Sequence, residues 1–312
     1  MTPTKMTCAA VALLIALALG SSATAAEHKT AQPTFASPAD AVAAMVGAMR
    51  RQLPGVLATI VGPGSQAWLL SGDETADRAE MAKFVAAYDE GHGITMSGEN
   101  HATATVGPDN WPLPIPIVRS GGRWHFDGAA GHEEVLARRI GRNELDTIQV
   151  LEAIVDAQIE YARADPGRTG QVAYAQKFAS SPGRHDGLYW RAQAGEPESP
   201  LGQLVAQAAA EGYAESKLRP YHGYVFRMLK AQGPNAAGGA FEYVVQGAMI
   251  GGFAVVASPI RYGISGVTTF IVNQDAVVYQ KDLGPRTAQA VAAMKRFDPG
   301  PGWTKAETTR AP

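Results

Sequence analysis

The chain has 312 residues, 46% apolar and 18% charged, with a formal net charge of −2 at pH 7. That length leaves room for two domains, and the composition excludes a disordered chain. A near-neutral balance with no Lys/Arg run excludes nucleic acid and an anionic membrane surface as expected partners.

The N-terminus reads as a processing segment. Lys5 gives a short positive region, Cys8 to Leu19 is an apolar run, and Ser21, Ser22, Ala23, Thr24, Ala25 and Ala26 follow. This pattern predicts a secretory signal peptide over residues 1–26. An uncleaved anchor is the alternative, but a spanning helix wants about 20 apolar residues. Cys8 stands at the start of the apolar run and not after it, which argues against a lipoprotein anchor. Cleavage removes Cys8, the only cysteine, so the mature chain is expected to hold no disulfide, no thiolate nucleophile and no Cys-ligated metal. No other run approaches spanning length, so the mature protein is expected in the periplasm or outside the cell.

Residues 27–36 are polar and read as a flexible linker. "SPADAVAAMVGAMRR" then opens a helix, with Ser37 as N-cap, Pro38 at the first helical position and Asp40 as the capping-box acid. "LPGVLATIVGPGSQAWLL" is a short second helix or strand. Thr75 to Glu90 is a third helix, with Met81, Phe84, Val85 and Tyr88 on one face. From Ile94 the period changes to alternation, with breaks at Gly98-Glu99-Asn100, Gly107-Pro108-Asp109-Asn110 and Ser120-Gly121-Gly122, which predicts an antiparallel meander. Pro112, Pro114 and Pro116 fall on alternate positions and place that strand at an edge.

Glu133 to Ile140 predicts a short helix and Gly141 a boundary. Beyond it, Leu145, Ile148, Leu151, Val155, Ile159 and Ala162 recur at steps of three or four, the stripe of an amphipathic helix. "AYAQKFASSPGRHDGLYW" is loop-rich. A helix follows with Ser199 as N-cap and Pro200 at its first position. Strands are expected over Tyr221–Leu229, Phe241–Val245 and Gly252–Ser258, then a hairpin in "GISGVTTFIVNQDAVVYQKDLG" turning at Asn273-Gln274-Asp275. Both faces of that hairpin are largely apolar, so burial on both sides is expected. Pro285 to Phe297 reads as a closing helix. The expected fold class is α+β in two domains, residues 37–140 and 141–298, with a disordered tail over 299–312.

The stretches "DNWPLPIPIVRSGGRWHFD", "IGRNEL", "YHGYVFRMLKAQGP" and "GVTTFIVNQDAVVYQKDLGP" resemble a family of exported bacterial proteins known as domain of unknown function 2950, over nearly all of the mature chain. Residues 37–140 also resemble the NTF2-like cone, in which helices lead into a curved antiparallel sheet; Gly121, Gly122, Trp124 and Phe126 carry that likeness. Residues 142–284 are similar to the globular part of pilin-like proteins, a long helix packed on an antiparallel sheet. That likeness rests on Asn143, Glu144, Ile148, Gln158 and Tyr161, on Gly223, Tyr224 and Phe226, on Ala257 and Pro259, and on Ser265, Gly266 and Phe270. The helix from Arg142 is internal and polar on one face, unlike the apolar N-terminal helix by which pilins polymerise.

Motifs that carry chemistry are scarce. No two of the seven histidines share a metal-binding helical spacing, "DPGRTG" lacks the oxygen ligands of a calcium loop, and Gly263-Ile264-Ser265-Gly266 precedes a strand where a nucleophile elbow precedes a helix. No glycine pair follows a phosphate-loop spacing, and no cofactor is expected. Two constellations remain. His125 and Asp127 share one strand face and form a candidate general-base pair if that face lines a cone pocket, with Arg119 as a binding candidate beside them. Tyr221, His222, Tyr224 and Arg227 bring together groups that bind a carboxylate or a sugar. The expected function is a non-catalytic, exported binding or assembly module of the bacterial envelope, its partner an envelope protein or a second copy of the chain. The alternative is a periplasmic hydrolase or small-ligand binder using the cone pocket.

Overall fold

A computed structural model of the protein describes residues 31–167, 170–213 and 220–308. The predicted signal peptide and residues 27–30 of the expected linker lie outside them. The fold is α+β, with helices packed on antiparallel sheets. Among the described residues no helix is long and apolar enough to cross a membrane.

The first helix, α1 (Pro38–Arg50), starts as its sequence dictates: Ser37 Oγ accepts the Asp40 N–H at 3.1 Å. After α2 (Pro54–Val61) and a 3₁₀ turn, α3 (Glu74–Glu90) is capped by Asp73, one turn-defining residue earlier than expected, whose Oδ1 accepts the N–H groups of Thr75 and Ala76. The meander follows as β1 (His92–Ser97), β2 (His101–Val106), β4 (Ile117–Ser120) and β5 (Arg123–Phe126), in that spatial order, with β3 (Trp111–Pro112) paired only to β2. Only the first proline of the run lies in an edge strand, Pro112 in β3, which pairs with β2 alone. Pro114 and Pro116 have no N–H to give a ladder and fall between strands, and β4 begins after them in the sheet interior.

The sheet's inner face meets α1 and α2 in a core that includes Met45, Leu57, Ile60, Ile117, Trp124 and Phe126. The described part of the expected linker is tied to this core. Gln32 Nε2 lies within 3.2 Å of the carbonyl oxygens of Ile60, Val61 and Phe126, and Phe35 exchanges both backbone hydrogen bonds with Trp124. An amide whose two N–H groups are shared among three carbonyls is held in place.

The helix α4 (Gly128–Ala164) runs 37 residues without a break at Gly141. The two helices and the boundary expected there are one element. Its start needs small residues: a Cβ on Gly131 would stand 2.7 Å from Ile115 Cα. Its middle is fixed by contacts on both sides of Gly141. Arg139 donates to Trp68 O and Leu69 O, Arg142 pairs with Glu80 at 3.0 Å, and Asn143 Nδ2 donates to Ser265 O at 2.9 Å. These partners outweigh the cost of one interior glycine, about 1 kcal/mol. The buried stripe also differs from the expected one. Leu145 is 63% exposed, while Asn143, Thr147, Ile148, Leu151, Ile154, Val155 and Gln158 face inward.

The second half adds α5 (Gly202–Ala210), which starts after the Ser199–Leu201 turn and not at Ser199 itself. Then come β6 (Tyr224–Leu229), β7 (Ala231–Gln232), β8 (Phe241–Glu242), β9 (Val244–Val245), β10 (Ala248–Met249), β11 (Ala254–Pro259), β12 (Thr268–Asn273), β13 (Tyr279–Asp282), α6 (Thr287–Ala293) and β14 (Thr304–Lys305). The main sheet has the order β14-β13-β12-β11-β6, and two short ribbons pair β7 with β8 and β9 with β10. Of the hairpin β12–β13, β12 is buried on both faces as its composition predicts, whereas β13 is half-buried and ends exposed at Asp282. Phe226, Ala257 and Phe270 are cross-strand neighbours on the face that meets α4, and Arg227, Val256, Ile271 and Tyr279 lie on the other, where Arg227 binds α6 and Tyr279 packs edge-on against Phe297. The chain after Pro299 is not free tail over its described length: β14 pairs with β13, and Ala306 N–H donates to Val278 O at 2.9 Å.

The two cores are joined by more than α4. Arg261, beyond β11, donates to Ala67 O and Leu70 O, so the segment that Arg139 holds from one side is held from the other as well.

Candidate functional site

The first predicted constellation is not assembled as a catalytic pair. Trp124 and Phe126 point into the core at 6% and 1% exposure, which turns His125 to the opposite face beside Val118. Asp127 lies past the strand and caps α4, its Oδ1 accepting the Ala130 N–H at 3.0 Å. Among the described residues no hydrogen bond joins His125 to Asp127. Arg119 stands across from Trp124, its guanidinium carbon 6.0 Å from the ring centroid.

The second constellation is divided by the fold. Tyr221 to Gly223, expected as strand, belong to a tight hairpin turn that closes on Tyr224, the first residue of β6: the two tyrosines exchange backbone hydrogen bonds, and His222 and Gly223 both have positive φ, +49° and +73°. Two left-handed residues in succession make a type I′ turn, a position where histidine is tolerated and glycine preferred. Gly223 is further constrained, since a Cβ there would stand 2.8 Å from Asn143 Nδ2 and 2.9 Å from Ser265 Cβ. Tyr224 turns toward α4, its hydroxyl donating to Thr268 O at 2.9 Å with Glu144 Oε1 at 3.4 Å; burial, then Glu144, pushes its pKa up. Arg227 points the other way and donates to Val291 O and Met294 O at the end of α6.

Tyr221 and His222 stay together in a half-buried polar cluster. His222 Nδ1 is 2.7 Å from Asp146 Oδ2 on α4, and Nε2 is 2.8 Å from Glu211 Oε2 after α5. Burial alone would lower the His222 pKa, but the hydrogen bonds to Asp146 and Glu211 outweigh it and raise it. Both carboxylates are satisfied only by the imidazolium, with an N–H on each nitrogen. Its backbone N–H donates to Tyr213 Oη, and Tyr213 in turn donates to Asp73 Oδ2 at 2.8 Å. The same Asp73 oxygen accepts the Gly223 N–H at 3.1 Å. Burial first, and the adjacent acids second, raise the pKa values of Tyr213 and Tyr221. An imidazolium has no lone pair with which to act as a base. Carboxylates on opposite nitrogens of one ring cannot converge on one metal ion, and among the described residues no group of three His, Cys, Asp or Glu is placed to hold one. The cluster is built to fasten the turn to α3, α4 and the end of α5.

Concave space lies elsewhere. Residues 170–201 between α4 and α5 contain no helix or named strand, yet they are held in place. Gln158, fully buried on α4, clasps Ala175 with both ends of its amide: Nε2 donates to Ala175 O at 2.9 Å and Oε1 accepts the Ala175 N–H at 2.8 Å. Ala175, Leu188, Trp190 and Leu201 are buried anchors. Asp186 accepts from Lys177 Nζ at 2.6 Å and from Ser181 N at 2.7 Å, and these bonds hold its carboxyl down at about 2. Against the last turns of α4 this segment forms a half-open cavity of about 930 Å³. Its walls include the rings of Tyr161, His185, Tyr189 and Trp190. His185 stacks on Trp190 with centroids 4.4 Å apart, and the Tyr161 hydroxyl donates to His185 O at 2.8 Å.

The model of the family described as "Protein of unknown function (DUF2950)" matches residues 32–306. The chain belongs to this family. No curated protein and no solved structure matches it. The limits of the DUF2950 match agree with the physical limits of the packed structure. It begins at Gln32, which binds the first core, and ends at Ala306, whose N–H is bound by Val278. The match therefore takes in both cores, the His222 cluster and the cavity.

Several residues of this DUF2950 chain were beyond sequence reasoning. Asp73 has a local signal, an acid just ahead of a helix with Thr75 at its second position, although the sequence reading starts the helix at Thr75. Asp146 and Glu211 had none, because their importance comes from a histidine 76 and 11 positions away. The cavity's signal was the length of its loop-rich stretch, since irregular segments of that size in a packed protein are commonly functional.

Proposed function

We propose that the protein is an exported, non-catalytic binding module of the bacterial cell envelope, and that its ligand site is the cavity between residues 170–201 and the end of α4. The observation that carries this reading is a cavity of about 930 Å³ on an irregular segment preorganised by Gln158 and its buried anchors. A volume of this order suits a small organic ligand, and a preformed wall spares the entropy of ordering on binding. The acid–base residues also favour binding over turnover. Asp127 is committed to capping α4, and His222 is saturated by two carboxylates. The hydrolase alternative needs His125 and Asp127 to act together.

The test has two parts. Expression of the full chain with a C-terminal tag, followed by fractionation and N-terminal sequencing, is expected to give a periplasmic or secreted product starting at Glu27. The purified mature protein is then melted in the presence of fractions from the native envelope. At least one fraction is expected to raise the melting temperature, as any ligand selective for the folded state does. A cytoplasmic product, or a melt unmoved by every fraction, counts against the proposal.

A further inference from the structure

We infer that the cavity is a saccharide site, built for a neutral, polyhydroxylated ligand; this rests on the reading of the cavity as the ligand site. Three features point to that class. The first is the aromatic wall. Tyr161, Tyr189 and the stacked His185 and Trp190 all line the cavity, and aromatic rings are the groups that pack on the C–H faces of a pyranose. Trp190 is fixed by its Nε1–H, which donates to Pro197 O at 3.2 Å, and the Trp190 ring backs His185, so the shelf exists before any ligand arrives.

The second feature is the polar rim. Arg184 and Gln193 are exposed on the lining and offer planar donors, and the Gln193 amide oxygen adds an acceptor. Ring hydroxyls both donate and accept, and a set that mixes donors with acceptors around aromatic faces meets that demand.

The third feature is mixed charge. Arg184 and Arg191 stand on the lining with Asp186 and Glu196, and Asp186 is paired with Lys177. A cation would meet the two guanidinium groups, and a lipid chain would leave the polar rim unpaired. A neutral sugar incurs neither cost, and phosphate is kept as a probe because the two arginines could receive it.

The experiment is titration calorimetry on the purified mature protein with four probes: chitotetraose, maltotetraose, inorganic phosphate and oleate. Saturable binding is expected for at least one tetrasaccharide. Tyr189→Ala and Gln193→Ala are each expected to weaken it roughly tenfold, the loss of one stacking face or one polar contact. Far-ultraviolet circular dichroism verifies that each variant keeps the fold. Gln193 is exposed, so its replacement keeps the test valid if Tyr189→Ala does not fold. Binding of phosphate or oleate with no saccharide binding overturns the sugar class and leaves the cavity a ligand site. Saccharide binding that neither variant weakens places the sugar elsewhere and overturns the inference. Failure of all four probes, while an envelope fraction still raises the melting temperature, also overturns the sugar class alone. Failure of both removes the parent reading with it.

Discussion

Two places in this molecule use the same local devices to different ends. At the end of the first sheet, Gly121 and Gly122 make a two-residue turn with φ of +58° and +78°, and Asp127 caps the helix that follows. Near the start of the second sheet, His222 and Gly223 make a turn of the same handedness, and Asp73 caps a helix. In the first place the devices are separate. Nothing stands within 4 Å of a Cβ built on either glycine, and Asp127 serves its own helix. In the second they are wired together. Asp73 caps α3 with one oxygen and with the other binds Tyr213 and the Gly223 N–H, 150 residues away. A turn or a cap is a local feature that a sequence announces. What differs between the two places is the long-range partner, and that decides how much stability each residue carries.

The largest expected contrast is between the two aspartates. Asp127→Ala removes a cap and should cost about 1 kcal/mol. Asp73→Ala removes a cap and also leaves the Tyr213 hydroxyl and the Gly223 N–H unpaired in the interior, for a total of about 3 to 5 kcal/mol. Urea denaturation of both variants measures the difference. Equal losses would mean that Asp73 acts on α3 alone.

The glycines come next. Gly122→Ala carries only left-handed strain, about 1 kcal/mol, because its surroundings are open. Gly223→Ala adds overpacking against Asn143 and Ser265 and should cost roughly 2 to 4 kcal/mol. A Gly223→Ala protein as stable as Gly122→Ala would show that the turn can shift away from α4, and the wiring would then be weaker than its distances imply.

A smaller effect of opposite sign tests the element that connects the two places. Gly141 sits inside α4 with nothing within 4 Å of a built Cβ. Gly141→Ala should therefore stabilise the protein by about 1 kcal/mol. No gain would mean that α4 does not behave as one continuous helix at the boundary its sequence marks.

How much was legible follows the same division. The Ser37 cap, the meander with its breaks, and the doubly apolar β12 all followed from local pattern, because period and turn chemistry act over a few residues. Gly141 misled for the same reason: as a local signal it ends a helix, but Arg139 and Asn143 on either side of it bind Trp68, Leu69 and Ser265 and carry the helix through. Leu145 fitted the apolar stripe by spacing, while the inward face is set by polar residues, Asn143 and Gln158, whose amides hold distant backbone. The α+β class was legible throughout. Of the candidate site residues, Tyr221 and His222 lie in one cluster, but Tyr224 and Arg227 alternate onto opposite faces of β6. The cavity rings are spread over α4 and an irregular segment, with no spacing rule to connect them.

The smallest expected effect is a dependence on pH, and its sign sharpens the comparison. His222 faces Asp146 from α4, Glu211 from the end of α5, and the Tyr213 and Tyr221 rings; Asp73 lies one bond further, behind Tyr213. Its folded pKa is raised above the ordinary 6.5 by the two carboxylates acting against burial. The folded state then holds the proton more tightly than the unfolded chain, so the stabilisation is complete below about pH 6.5 and is lost as pH rises through the folded value. The urea midpoint should fall as pH is raised above about 6.5. His222→Asn keeps a side chain that tolerates the left-handed turn but carries no titrating proton, so the decline over this range should flatten. A wild-type midpoint that is level or rises across this range would show that the imidazolium is not the form the cluster selects. An unchanged slope in His222→Asn would assign the titration to another group. Either result would leave the turn at His222 fastened by its backbone alone, through the Gly223 N–H to Asp73 and the His222 N–H to Tyr213.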